Sequence, residues 1–193
     1  MNKLNIMIVG VGGQGTLLTG RVLGKVAVKS GYDVKVSEVH GMTQRGGSVV
    51  TYVKMGEKVF SPMVEKGEAD VVMAFEKLEA LRWAGYLKQG GELIVNDQRV
   101  DPMPVMTGKA CYPADIIDKL KAGGIKVQSI DALGIAGECG NKKVVNVVLL
   151  GLLAKSAGID REVWLEALGE TVPPKLLEVN LKAFDIGYNY GRS

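Results

Sequence analysis

The sequence predicts an α/β fold of Rossmann-like type: a mostly parallel sheet with helices on both faces, a β-hairpin insertion and a helical C-terminal third. Three observations lead there. Short segments at 6–9, 69–75 and 91–96 carry the apolar cores Ile6–Val9, Val71–Phe75 and Leu93–Val95, as strands covered on both faces do. Segments of helical period separate most of them, as crossover connections between parallel strands require. The stretch Gly10-Val11-Gly12-Gly13-Gln14-Gly15 satisfies GxGxxG after the first run and before a helix, where that spacing has a physical use.

The first strand, Ile6-Met7-Ile8-Val9, is placed centrally. Leu17, Leu18, Arg21, Val22, Leu23, Val26 and Ala27 then recur at helical spacing until Ser30-Gly31 stops the pattern. Val34, Val36 and Val39 mark a second strand, so residues 4–39 read as a βαβ unit of about the 30 residues such a crossover needs. Residues 40–47 are glycine-rich and aperiodic, hence a loop. Alternation over 48–54, with a turn at 55–58 before Val59-Phe60, suggests the hairpin. Strand 69–75, helix 76–88 and strand 91–96 restore the α/β alternation. Pro102 and Pro104 favour an extended connection over 100–112, and Pro113 is read as opening a helix through Lys121, because proline suits a first helical turn. Residues 125–130 form the last strand. Helices follow at 132–139, 142–157, 160–168 and from Lys175, with Asp160 as a cap and Pro173-Pro174 as a break.

The chain of 193 residues is read as one domain, 1–193, with an α/β portion at 1–130 and a helical portion at 131–193. Its 47% hydrophobic and 23% charged residues suit a chain with a buried core. The net charge of +3, with no concentrated basic run, argues against nucleic acid as a partner. The longest apolar stretch, 144–154, is broken by Asn146 and Gly151 and flanked by lysines, well short of the roughly 20 residues a span requires. No membrane association is expected, and the N-terminal pattern leads us to expect a cytoplasmic protein.

Chemistry concentrates at two glycine-rich segments. In the first, Gly10, Gly12, Gly13 and Gly15 allow a tight turn and close backbone approach, and the start of the following helix offers unpaired amides to an anion such as phosphate. The alternative is that these glycines serve strand–helix packing alone. A dinucleotide would further need an acid about 20 positions on, for which Glu38 is better placed than Asp33. In the second segment, His40, Gln44, Arg45, Gly46 and Gly47 suit an anionic or carbonyl-bearing group, although Arg45 is equally readable as a solvated surface arginine. His40 is the only histidine; it is readable as a proton carrier or, more simply, as a loop-stabilising group. No catalytic residue is assigned. Cys111 and Cys139 are 28 positions apart and belong to no CxxC pair, so no metal site is expected in this chain.

The Val11-Gly12-Gly13-Gln14-Gly15 turn, the loop His40-Gly41-Met42-Thr43-Gln44-Arg45-Gly46-Gly47, Ser61-Pro62, Ala69-Asp70 and the run Phe75-Glu76 with Leu78-Glu79-Ala80-Leu81-Arg82 carry a resemblance. They resemble the gamma-type domain of 2-oxoacid:ferredoxin oxidoreductases, and the loop looks specific to the beta subunits of the indolepyruvate type. The resemblance implies a small subunit taking part in oxidative decarboxylation of an arylpyruvate with coenzyme A, giving an aryl-acetyl-CoA and carbon dioxide, with electrons passed to ferredoxin. It implies a large partner subunit carrying thiamine diphosphate, magnesium and iron–sulfur clusters. The isolated chain would then be inactive, with Gly10–Gly15 and the Arg45 loop facing the CoA phosphates or the shared active site. Three further readings stay open: a self-sufficient NAD(P)-dependent oxidoreductase with Glu38 on the ribose, a gamma subunit acting on pyruvate or 2-oxoglutarate, and an assembly subunit that binds no ligand.

Overall fold

The computed structural model describes residues 3–40 and 47–191. A six-stranded sheet of order β2-β3-β1-β4-β5-β6 is built from β1 (Leu4–Val11), β2 (Asp33–His40), β3 (Ser48–Gly56), β4 (Ala69–Ala74), β5 (Leu87–Asn96) and β6 (Lys126–Ile130). Strands β1, β4, β5 and β6 are parallel, whereas β3 runs antiparallel to both β1 and β2. The helices are α1 (Thr16–Lys29), α2 (Lys77–Trp83), α3 (Met103–Met106), α4 (Ile116–Ala122), α5 (Ala132–Glu138), α6 (Val145–Ser156), α7 (Arg161–Gly169) and α8 (Leu177–Asn189).

The alternation of side chains along each strand sorts the core into two layers. Ile6, Ile8, Val53, Met73 and Ile94 meet α1 and the C-terminal helices, while Met7, Val9, Val50, Val72 and Leu93 meet α2 and α4. Helix α6 is buried on every side, Val145 through Ala154, which is why its sequence is apolar without a polar stripe. It crosses α8 at two glycines. A Cβ on Gly151 would stand 2.1 Å from the Phe184 carbonyl oxygen, and one on Gly187 would stand 2.0 Å from that of Val148. Only glycine permits the two backbones to approach so closely. At the outer end of this layer, Lys25 and Lys29 of α1 reach Glu170 just after α7, at 3.4 and 2.7 Å.

Several expectations from sequence change. The strand at 48–56 does not pair with Val59-Phe60, which is not a strand; it forms a hairpin with β2 and inserts between β2 and β1. The βαβ unit is therefore interleaved: β2 runs in the direction of β1 but lies one strand further out. The expected helix over 76–88 ends at Trp83, because β5 begins at Leu87 to pair with Ala69. The connection at 100–112 contains the short helix α3 after Pro102. Pro113 does not open α4, which starts at Ile116; Asp115 just before it has φ of 53°, a left-handed conformation that no helix can run through.

Candidate functional site

Strand β1 delivers the glycine turn to the C-terminal edge of the sheet, beside the ends of β4 and β5. This is also where the connections change faces, since α1 lies on one side and α2 on the other, and α/β sheets form ligand crevices at such a point. Each glycine here has a distinct reason. A Cβ on Gly10 would lie 2.7 Å from Gln14 Oε1 and 3.1 Å from Phe75 Cβ. Gly13 and Gly15 have φ of 96° and 87°. Gly15 caps α1 in the left-handed conformation against Asn146, so packing and backbone conformation both demand glycine. Gly12 N–H donates to the Gly47 carbonyl at 3.0 Å, tying the turn to the start of β3.

A cleft of about 640 Å³ opens beside this turn, of the size that small-molecule sites have. Its walls include Gly13, Gly15, Gln98, Lys142, Lys143 and Asn146, with Leu18, Leu133, Val172 and Leu176 supplying apolar surface. Two helices begin here. Helix α1 has no side-chain cap and no acidic residue in its first turn, and the 3₁₀ turn Lys142–Val144 that runs directly into α6 is capped by a neutral amide, Asn141 Oδ1, which accepts from Lys143 N–H at 3.0 Å, so neither start carries a carboxylate. Lys142 and Lys143 stand immediately before α6, on the end where a helix dipole disfavours cations. Among the described residues lining the cleft there is no carboxylate. Two helix starts and two lysines around one hollow give it a charge distribution suited to anionic oxygen. A second hollow of about 690 Å³, between α1 and the residues after α7, differs in kind, because its Lys25 and Lys29 are already paired with Glu166 and Glu170.

Behind the cleft lies a network of side-chain amides. Gln14 Oε1 accepts from Val11 N–H at 2.9 Å, and Gln14 Nε2 donates to the Phe75 carbonyl at 3.1 Å and to Gln98 Oε1 at 3.4 Å. Asn96, fully buried, accepts from Ala132 N–H at 3.1 Å and donates to the Phe75 carbonyl at 3.1 Å and to Gln98 Oε1 at 3.0 Å. The ends of β1, β4 and β5 are thereby fastened to one another. On the other face, buried Glu76 caps α2 and accepts from Val100 N–H at 3.1 Å and from the Tyr112 hydroxyl. Burial, and then that bond to Glu76, raise the Tyr112 pKa well above the ordinary phenol. Glu79, also buried, accepts from Ser48 Oγ at 2.5 Å and from Arg82 and Trp83 at 3.1 Å each, which anchors the start of β3.

The structure therefore brings Gly10, Gly12, Gly13, Gln14, Gly15 and Gly47 together. Both amide hydrogens of Gln14 are used internally, which makes it a positioning group for the turn. His40 is exposed at the end of β2 and in register with Val49, which is in turn in register with Gly10, so it stands two strands, about 10 Å, from the turn. Gln44, Arg45 and Gly46 lie outside the described residues. Glu38 Oε2 accepts from Thr16 Oγ1 at 3.3 Å and Thr51 Oγ1 at 3.0 Å; with β3 inserted, it sits one strand beyond the position at which a dinucleotide fold grips a ribose. Among the described residues no group of three His, Cys, Asp or Glu could hold a metal ion, and Cys111 and Cys139 are free thiols, so the donors present do not fit an iron–sulfur cluster. No helix among them is long and apolar enough to cross a membrane.

Gln98, Lys142, Lys143 and Asn146 escape the sequence reading. The signal for the lysines was present in reverse: two cations in the opening turn of an apolar helix, with no acidic residue beside them, oppose its dipole.

Comparison with known proteins bears on these features. The family model described as pyruvate ferredoxin/flavodoxin oxidoreductase matches residues 5–190. The chain is 44% identical over 195 residues to the indolepyruvate oxidoreductase subunit IorB of Thermococcus kodakarensis, covering 97% of this chain and 95% of that one. It is 39% identical to the subunit of the same name from Archaeoglobus fulgidus, covering 97% and 94%. Among solved structures, the keto/oxoacid ferredoxin oxidoreductase gamma subunit from Geobacter sulfurreducens PCA superposes with a TM-score of 0.72 at 23% identity, covering 96% of each chain. The 2-oxoglutarate:ferredoxin oxidoreductase from Magnetococcus marinus, solved with 2-oxoglutarate, coenzyme A and succinyl-CoA bound, superposes with a TM-score of 0.77 at 20% identity, covering all of this chain and 31% of that one. At those identities the two structures speak for the fold.

Proposed function

The chain belongs to the pyruvate ferredoxin/flavodoxin oxidoreductase family, and from that premise we propose that, as the small subunit of an indolepyruvate:ferredoxin oxidoreductase, it holds the phosphate end of coenzyme A. The single observation that carries this reading is the convergence of the α1 and α6 starts with Lys142 and Lys143 on one carboxylate-free cleft. A larger partner subunit completes the enzyme. In this reading the partner carries thiamine diphosphate, magnesium and the iron–sulfur clusters, and the complex passes electrons to ferredoxin. Coenzyme A supplies the thiol that takes the acyl group. This chain's own work is to bind and orient: the ammonium groups and helix amides neutralise the phosphates without giving or taking a proton, and the apolar wall excludes water. Gly12 and Gly47 hold the turn, and Gln44 and Arg45 are assigned by sequence to the same anion.

The test is the Lys142→Ala/Lys143→Ala double variant in the assembled complex. Two exposed lysines contributing about 1 kcal/mol each predict a rise in KM for coenzyme A of about 10- to 30-fold, with kcat nearly unchanged. The expected dependence on salt is also weaker in the variant. A KM equal to that of the unaltered complex would overturn the reading.

A further inference from the structure

The amide network behind the cleft fixes a polarity that neither the sequence nor the family match supplies. Three backbone groups in it have only one possible role: Val11 N–H and Ala132 N–H can only donate, and the Phe75 carbonyl can only accept. Ala132 N–H on Asn96 Oδ1 makes the other end of Asn96 the NH₂, which is what donates to Phe75 and Gln98. Val11 N–H on Gln14 Oε1 likewise makes the inward end of Gln14 the NH₂, which donates to Phe75 and again to Gln98. Both chains of logic end on the same atom, Gln98 Oε1, which must therefore be the oxygen. The orientation of Gln98, ordinarily ambiguous between O and N, is set twice over.

The Gln98 backbone is held as well, since its carbonyl accepts from Lys77 N–H at 3.0 Å and its own N–H donates to Asn96 at 2.7 Å. What is left is Gln98 Nε2. It has no partner among the described residues and is not among their buried unpaired atoms, and Gln98 forms part of the cleft wall. The ends of three strands thus hold one NH₂ group, without charge, at the wall of the anion cleft.

We infer that Gln98 is a ligand-binding residue whose Nε2 donates to an acceptor oxygen of the cleft's ligand, either a phosphate oxygen or an amide carbonyl. This deepens the coenzyme A reading and rests on it. Phosphate and pantetheine amide are both present in coenzyme A, and both present a bare acceptor to an NH₂ donor. Gln98 is a binding group here; Asn96, and Gln14, which also lines the cleft but has both amide hydrogens engaged internally, set its polarity and are positioning residues.

Gln98→Glu isolates the claim. A glutamate keeps an oxygen for Asn96 and Gln14, so every internal bond survives, and only the cleft-facing group changes, from donor to anionic acceptor. In the assembled complex with indolepyruvate, the expected result is a rise of about tenfold or more in KM for coenzyme A. The expected kcat stays within about twofold, and the unfolding midpoint of the chain is unchanged. Pantetheine, which lacks the phosphates, separates the two sources: a phosphate contact raises KM for coenzyme A alone, and an amide contact raises both. An unchanged KM for coenzyme A in Gln98→Glu, while the lysine double variant is impaired, overturns the role of Gln98 alone. If neither variant shifts KM, the cleft reading falls with it. A large loss of stability in Gln98→Glu would show that the buried atom is not the oxygen and would overturn the assigned polarity.

Discussion

Replacing Gly187 by alanine tests the close crossing of α6 and α8. The added Cβ would stand 2.0 Å from the Val148 carbonyl oxygen and 2.9 Å from its carbon. Carbon and carbonyl oxygen rest at about 3.3 Å, so the helices must part by about 1.3 Å. Gaps of that size forfeit a large share of the dispersion between the facing side chains, and Val147, Val148, Gly151, Ala183 and Phe184 are all buried there. We set that cost at about 3–4 kcal/mol, the upper range for overpacking. Alanine returns about 1 kcal/mol through its better helix propensity. The net loss of about 2–3 kcal/mol predicts a fall in the unfolding midpoint of about 4–12 °C. Thermal and urea unfolding followed by circular dichroism measure it, with Gly169→Ala as control, because the nearest atom to a Cβ there is Leu177 Cδ1 at 3.8 Å. If Gly187→Ala proves as stable as Gly169→Ala, the packing argument is wrong.

Other outcomes are expected from the same physical reasoning. Tyr112→Phe removes a donor from buried Glu76 and an acceptor from Leu78 N–H, and should lower stability at neutral pH by about 1–3 kcal/mol in chemical denaturation. Because the folded state raises the Tyr112 pKa, its contribution is fully present below the ordinary phenol range and is lost as pH climbs through the raised value. Alkaline titration at the phenolate band should show Tyr112→Phe and the unaltered chain indistinguishable near pH 10. The bonds from Lys29 and then Lys25 hold the Glu170 carboxyl below its ordinary 4.5. Its contribution is therefore present above that value and disappears as pH falls through the depressed one. A melting-temperature gap between unaltered chain and Glu170→Gln at pH 7 should close in acid and in high salt; a gap independent of both would contradict the ion-pair account.

Much of the fold was legible because it is written locally. Buried parallel strands declare themselves as continuous apolar runs, and the glycine turn names its own backbone conformation, as Gly13 and Gly15 bear out with positive φ. Strand order is different, since nothing in the residues of β3 says that it will lie between β1 and β2; its alternation is equally good for pairing on either side. Asp115 concealed the start of α4 because left-handed backbone at an aspartate leaves no periodic trace. The candidate site divides in the same way. Its turn is contiguous in sequence and was found, while Gln98, Lys142 and Asn146 join it only by long-range packing. Lys142 and Lys143 were read as the polar boundary of an apolar helix, which they are; that they also border a hollow shared with α1 depends on where α6 docks.

The order in which the chain is made bears on the cleft. Its walls come from the glycine turn, from Gln98 at the end of β5, from the stretch around Lys142 to Asn146 and from Val172 to Asn180. During vectorial synthesis the turn emerges first, yet Gly12 finds Gly47 only after β2 is complete, and the final wall waits for the last fifth of the protein. A nascent or truncated chain therefore exposes the glycine turn without the rest of the cleft. On the proposed reading, affinity for an anionic ligand belongs to the finished molecule, and such a ligand would favour the folded form by mass action only once α8 has packed on α6.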